Sequence, residues 1–235
     1  MPYFQAYIKI MTTSEIQTYK RIATHSAAFR RKVRMLKINV ARLTSSNVVE
    51  LSSFLAYCQE IIWLSIDVQG LSIAQCLRLF STLRFQNLTG FSTKNLPHEV
   101  LHQFLSRHPR ISDITLGPCS RVGPHCALQS TRALQQLHEV RGEFKCISNL
   151  VSGATQRIFA DVSNPHEFGY RDLFKRISDA DANVRLLSME YIPSDTTDVM
   201  SRLVNALPTV STMRLVECID EVNILNAQSF LLSIH

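Results

Sequence analysis

One short motif in this chain is typical of zinc hydrolases: His98-Glu99-x-x-His102. Two imidazoles four residues apart on a helix can share one Zn²⁺ ion, while the glutamate between them activates a water molecule. His98 and His102 are therefore candidate metal ligands, and they define one hypothesis, a zinc-dependent hydrolase.

Three features of the same segment argue against that hydrolase. Leu105 stands where the longer metalloprotease motif has a glycine that turns the chain, so at about 100° per residue His108 projects far from the other two histidines. Pro97 places His98 in the first helical turn. The helix also needs its apolar residues for a core, namely Val100, Leu101, Phe104 and Leu105. We therefore predict no enzyme, no metal site and no cofactor.

A second group of soft ligands lies in residues 119–126, which contain Cys119, His125 and Cys126. Three such ligands could hold zinc, but no fourth is evident and the spacing matches no common zinc knuckle. A cysteine beside a histidine could also suggest a nucleophile. We favour a structural interpretation, with Cys119 turned inward at the end of a repeat and the other two in a loop.

Composition places the chain among ordinary globular proteins, with 46% hydrophobic and 19% charged residues. The six cysteines include no C-x-x-C pair, no apolar run approaches the roughly 20 residues that cross a bilayer, and the start lacks a secretory signal. We expect reduced thiols, a cytoplasmic or nuclear location and no membrane partner.

Positive charge is concentrated near the N-terminus. The net charge is +6, and residues 1–42 hold nine Lys and Arg against the single acid Glu15. Basic residues 20–42 leave open a binder of nucleic acid or an anionic surface. No aromatic side chain interleaves Arg30–Arg34, so single-strand stacking is not supported, and a solvated helix face is the favoured interpretation.

The elements that must position these residues follow a repeated pattern: an apolar residue, two others, an apolar residue, one other, an apolar residue. Clear copies centre on Leu36, Leu64, Ile114, Leu187 and Met213, and weaker copies on Leu88, Leu137 and Ile158. Successive centres are 28, 24, 26, 23, 21, 29 and 26 residues apart, which is the period of leucine-rich repeats.

Alternation turns both apolar side chains of each copy to one face of a short strand. Between the strands, apolar residues recur at helical spacing, as in 48–55, 73–80, 100–105 and 199–207. One such unit cannot bury its apolar face, whereas stacked units can. We predict an α/β fold, an irregular leucine-rich-repeat-like solenoid with a curved parallel sheet on one side and helices on the other.

Two copies end in cysteine, Ile111–Cys119 and Val210–Cys218, and resemble the cysteine-containing leucine-rich repeat. Ala41, Gln69 and Thr93 occupy that place elsewhere, which predicts irregular turns. Segment 19–38 looks like a helix, a basic turn and a first repeat strand. With these features the chain is similar to the repeat portion of fungal F-box/leucine-rich-repeat proteins.

In that family the F-box recruits a cullin–RING ubiquitin ligase and the repeats hold the substrate. The resemblance implies a substrate-recognition module. We expect no F-box before residue 1, so the module would join such a ligase only if an F-box is supplied elsewhere. Leu96–Leu101 resembles the first residues of an F-box, but the following sequence does not fit one. We expect a single repeat solenoid over 1–235. It comprises a leading strand or helix over 1–32, seven to eight repeats over 33–218 and an incomplete repeat over 219–235, as in a truncated chain.

The positions between the apolar residues of each strand project to the open face of the sheet, where we expect a protein partner to bind. The predicted binding residues are Arg34, Lys37, Trp63, Ser65, Asp67, Thr115, Ser188, Glu190 and Arg214. An exposed Trp63 would anchor the partner, and packing against the preceding turn is the alternative.

Overall fold

A computed structural model describes residues 6–119, 126–130, 134–161, 170–191, 201, 203, 205 and 207–217. These residues form an α/β fold around one nine-stranded sheet. Every strand is parallel to its neighbours, and the strand order follows the chain. The predicted α/β class with a parallel sheet is confirmed.

The secondary-structure elements alternate along most of the chain. The strands are β1 (Ala6–Ile10), β2 (Val33–Val40), β3 (Trp63–Val68), β4 (Gly90–Thr93), β5 (Asp113–Leu116), β6 (Glu139–Glu143), β7 (Arg157–Asp161), β8 (Leu186–Tyr191) and β9 (Thr212–Glu217). The helices of the described residues are α1 (Thr13–His25), α2 (Ala27–Lys32), α3 (Ser45–Tyr57), α4 (Ile73–Ser81), α5 (His98–Ser106), α6 (Phe144–Ile147) and α7 (Tyr170–Asp179), with a 3-10 turn at Ala127–Ser130.

Pairing between the strands brings one apolar residue of each strand into a single buried ladder across the sheet. The buried members are Ile8, Leu36, Leu64, Phe91, Ile114, Val140, Ile158 and Leu187. Met213 ends this ladder on β9 and is exposed. The repeat centres predicted for β2, β3, β5, β7, β8 and β9 are therefore confirmed as neighbours in one ladder.

The repeat centres predicted at Leu88 and Leu137 are wrong by three residues. Both leucines precede their strands, and Phe91 and Val140 take the central places. The third place of these two copies holds Thr93 or Gly142 instead of an apolar residue, so the preceding turn matches the apolar pattern better than the strand does.

Three helices begin at capping boxes, which explains where they start. Thr12 caps α1, Thr44 caps α3 and Ser72 caps α4, and each side chain accepts a hydrogen bond from the backbone three residues later. In each case that third residue bonds back to the cap, so backbone groups that a helix start leaves unpaired are satisfied.

Neighbouring helices contact one another in chain order: α1 with α3, α3 with α4, α4 with α5, and α6 with α7. This places the described helices side by side on one face of the sheet, and Lys9, Asn39 and Arg141 are exposed on the opposite face, which we call the open face. The buried faces of the helices include Leu51, Phe54, Leu79, Phe80, Leu101 and Phe104. Val49 and Ile73, which helical spacing assigned to these faces, are exposed.

None of the helices in the described ranges is long and apolar enough to span a lipid bilayer. Cys218, the predicted incomplete repeat over 219–235 and parts of the predicted helix over 199–207 lie outside the described residues.

Candidate functional site

The open face of the sheet carries a row of large apolar side chains at its β1 end. Tyr7, Met35 and Trp63 are consecutive register partners on β1, β2 and β3. Tyr7 is 57% exposed and Met35 38%, and Trp63 is partly exposed. We call these three residues the apolar row. Aromatic residues and methionine are the types enriched at protein–protein interfaces.

Trp63 lies on the open face and covers Gly90 of the next strand. A Cβ atom added at Gly90 would overlap the Cε3 and Cζ3 atoms of the indole, so only glycine leaves room for the ring in this position. The indole ring therefore packs on the sheet above Gly90, partly exposed, beside Met35.

Five of the predicted binding residues share one row next to the apolar row. Along the strands this row reads Lys9, Lys37, Ser65, Ser92, Thr115, Arg141, Phe159, Ser188 and Arg214. The structure thus brings together Lys37, Ser65, Thr115, Ser188 and Arg214 across eight strands. Ser65 is buried in it, so its neighbours provide most of the accessible surface.

The other predicted binding residues lie toward the strand ends. Arg34 at the start of β2 donates to the backbone oxygen of Glu60 at 2.9 Å and pairs with its carboxylate at 2.5 Å. Asp67 accepts a hydrogen bond from the Lys94 backbone N–H. Glu190 is a register partner of Val216 at the carboxyl ends of β8 and β9.

Electrostatics differ between the β1–β2 end of the open face and its β6–β7 part. On β6 and β7, Arg157 pairs with Glu139 at 2.7 Å and Arg141 lies 3.9 Å from Asp161, so charges there are internally compensated. Burial raises the pKa of Asp161, and Arg141 opposes that rise. On β1 and β2, two lysines lie side by side next to the apolar row, which makes that end both apolar and basic.

Tyr7, Lys9 and Met35 were not predicted as binding-surface residues from the sequence. Tyr7 and Lys9 lie on β1, which pairs in parallel with β2 although no repeat copy was recognised there. Met35 is flanked by apolar and basic residues in a continuous run, so only the register with Trp63 identifies its face.

Part of the basic segment over 20–42 is used inside the fold. Arg30 donates to the Ala23 backbone oxygen at 2.8 Å and lies 5.8 Å above the Tyr57 ring. Arg31 and Lys32 of the same helix are exposed. The residues grouped by the anionic-binder hypothesis therefore have different structural roles.

A compact group of metal-ligand types lies at the carboxyl ends of β4, β5 and β6. It comprises His98, Cys119, Cys126 and Cys146, and their potential ligand atoms all lie within 4.8 Å of one another. We call these four residues the thiol–imidazole cluster. His98 begins α5, Cys119 follows β5, Cys126 directly precedes the 3-10 turn, and Cys146 lies in α6. Three of the four are buried, and Cys119 is partly exposed.

Hydrogen bonds within this cluster converge on the Cys126 sulfur. His98 Nδ1 lies 3.1 Å from it, and the Leu128 backbone N–H donates to it at 3.4 Å. The Cys146 thiol hydrogen-bonds with Cys126 and lies 3.7 Å from a Glu143 carboxylate oxygen. The hydrogen bonds from Cys146 and His98 lower the pKa of Cys126, and the same pairing raises the pKa of Cys146.

Only part of each predicted ligand set belongs to this cluster. His98 faces Cys126, whereas His102, the other candidate ligand of the motif, is not part of a group of three or more potential metal ligands within the described residues. Cys119 and Cys126 are adjacent as a possible zinc pair requires, but His125 lies outside the described residues. Cys146 is the fourth residue of the cluster and was not predicted from the sequence.

Because the predicted repeat register was wrong by three residues, Cys146 was not recognised as a residue equivalent in position to Cys119. With Val140 as the true centre, Cys146 lies one residue beyond the place that Cys119 occupies one repeat earlier. Parallel neighbouring strands bring such equivalent positions together.

No protein-family model matches this chain, and a search of curated proteins finds no match either.

Proposed function

We propose that this chain is a protein-binding module, an irregular leucine-rich-repeat solenoid that holds its partner on the open face of the sheet. The observation that carries the proposal is the apolar row of Tyr7, Met35 and Trp63, side by side and accessible on three neighbouring strands. Binding energy at protein interfaces concentrates in such aromatic anchors.

The sheet topology supports the solenoid part of the proposal. Strand order that follows the chain, one shared apolar ladder and helices packed in sequence are what stacked repeats produce. The resemblance to F-box/leucine-rich-repeat proteins adds a role: substrate recognition for a cullin–RING ligase in the cytoplasm or nucleus, with the F-box supplied elsewhere.

Charge defines the chemistry of the proposed partner. Lys9 and Lys37 adjoin the apolar row, whereas the arginines of β6 and β7 are engaged with acidic neighbours. The complementary ligand is an acidic protein segment with an aromatic or large aliphatic side chain, because its carboxylates can meet the lysines while the apolar side chain covers Met35 and Trp63.

A random-peptide display selection tests both the surface and the chemistry. We expect purified wild-type chain to enrich acidic peptides that contain an aromatic or large aliphatic residue. Affinity of the selected peptides, measured by fluorescence anisotropy, should fall at least about tenfold with Tyr7→Ser or Lys37→Glu, equal to about 1.4 kcal/mol.

Matched controls lie on the helix side, where Val49→Ser and Ile73→Ser change exposed apolar residues without touching the open face. These variants should bind like the wild-type chain. Equal losses from both faces, or enriched peptides without acidic residues, contradict the proposal.

A further inference from the structure

We propose that the thiol–imidazole cluster binds one Zn²⁺ ion as a structural site, with Cys119, Cys126 and Cys146 as thiolate ligands and His98 as the imidazole ligand. This inference is independent of the protein-binding proposal, because the cluster lies in segments that follow β4, β5 and β6, whereas the apolar row lies on β1, β2 and β3.

Distances within the cluster suit tetrahedral zinc. Zn–S bonds of about 2.3 Å and Zn–N bonds of about 2.0–2.1 Å at tetrahedral angles separate ligand atoms by about 3.6–3.8 Å. All four ligand atoms lie within 4.8 Å of one another, so side-chain adjustments of about 1 Å complete the site. Four protein ligands leave no open position for a water molecule, which makes the site structural rather than hydrolytic.

The fold brings the ligands together from three successive strand–helix units. Gly117 allows the loop after β5 to lie directly on the loop after β4, because a Cβ there would overlap the Lys94 backbone oxygen. That close approach carries Cys119 toward His98, and α6 supplies Cys146 from the other side. A metal ion would therefore clamp the β5 loop between its two neighbours.

The chemistry of the surroundings agrees with thiolate ligation. The Leu128 N–H directed at the Cys126 sulfur is a donor that stabilises thiolate charge. On binding, each thiol releases its proton to solvent and its sulfur donates an electron pair to the metal. Three sulfurs and one imidazole nitrogen are a ligand set that favours zinc over magnesium or calcium.

Metal analysis of the full chain, purified with reductant and without chelator, tests the site. We expect about one zinc ion per chain. Replacement by Co²⁺ should give the visible bands of a tetrahedral ion and the ultraviolet charge-transfer band of cobalt–thiolate bonds. Wild-type chain with neither zinc nor the cobalt spectrum would falsify the proposal.

Variants assign the ligands. Cys119→Ser and Cys146→Ser should lower zinc occupancy several-fold, whereas Cys76→Ser, which removes a buried thiol outside the cluster, should retain it. His98→Cys should retain zinc as a four-thiolate site with a shifted cobalt spectrum. This result would assign a ligand even if a serine variant folds poorly.

His102→Ala separates this site from a hydrolase site on the same helix. Retention of zinc in this variant supports the proposal. Loss of zinc in this variant, together with wild-type zinc occupancy in the cysteine variants, overturns it.

Discussion

At the scale of single residues, the position of the Trp63 ring depends on the absence of a side chain at Gly90. The indole rests where a side chain of β4 would stand, and Gly90 has no positive φ that would by itself require glycine. The need for glycine at position 90 is therefore steric, and the tryptophan ring is the group that a substitution displaces.

Gly90→Ala tests this pairing through tryptophan emission, because Trp63 is the only tryptophan of the chain. The new Cβ should push the indole outward, shift its emission to longer wavelength and lower the free energy of unfolding by about 1–3 kcal/mol. Ser92→Ala, two residues along the same strand face, should leave the emission unchanged. An unaltered spectrum in Gly90→Ala would show that the ring does not lie there.

At the scale of elements, His108 links the end of α5 to the turn before β4. Its Nδ1–H donates to the Phe104 backbone oxygen at 2.7 Å, and its Nε2 accepts from the Phe85 backbone N–H at 3.0 Å. Both bonds require the neutral imidazole with its proton on Nδ1. Burial lowers the pKa of His108, and the nearby positive charges of Arg107 and Arg84 lower it further.

Protonation of His108 should therefore destabilise the fold in acid. Below the ordinary histidine pKa near 6.5 the unfolded chain takes up a proton that the folded chain resists, so unfolding free energy present at neutral pH is lost as the pH falls. His108→Gln keeps a donor and an acceptor but does not titrate. Between pH 7 and 5.5 it should lose less unfolding free energy than wild type, by up to about 1 kcal/mol in urea titrations.

His138→Gln provides the control, because His138 is exposed. Its stability should follow the wild-type pH dependence. Equal pH slopes for wild type and His108→Gln would contradict the assignment of the acid sensitivity to His108.

The same scale explains what the sequence could predict. Copies with three apolar positions, such as those centred on Leu36 and Leu64, identify their strands because only an inward face explains the pattern. At β4 and β6 the pattern is degenerate, and there the predicted repeat centres were wrong by three residues. Cys146 could not be joined to His98 from spacing alone, because their proximity depends on the register of two intervening strand pairs.

At the scale of the whole molecule, one hydrophobic core runs through the described chain, from Ile8 to Leu207. Strands contact their immediate neighbours in the sheet, and helices contact their neighbours in chain order. In the proposed solenoid, stability is then a sum over repeats and the interfaces between them, and a defect weakens nearby repeats first.

Phe104→Ala tests this distribution of stability. Phe104 packs against Phe80 at 5.2 Å, Phe91 at 4.9 Å and His108 at 4.2 Å between ring centroids, so its loss opens a cavity shared by α4, β4 and α5. Unfolding free energy should fall by about 3–5 kcal/mol. Hydrogen exchange should accelerate most in those three elements and least in β1 and β8, because the main contacts are between neighbouring elements and confine the effect. Uniform acceleration across all strands would instead indicate one cooperative unit and would remove the basis for the solenoid.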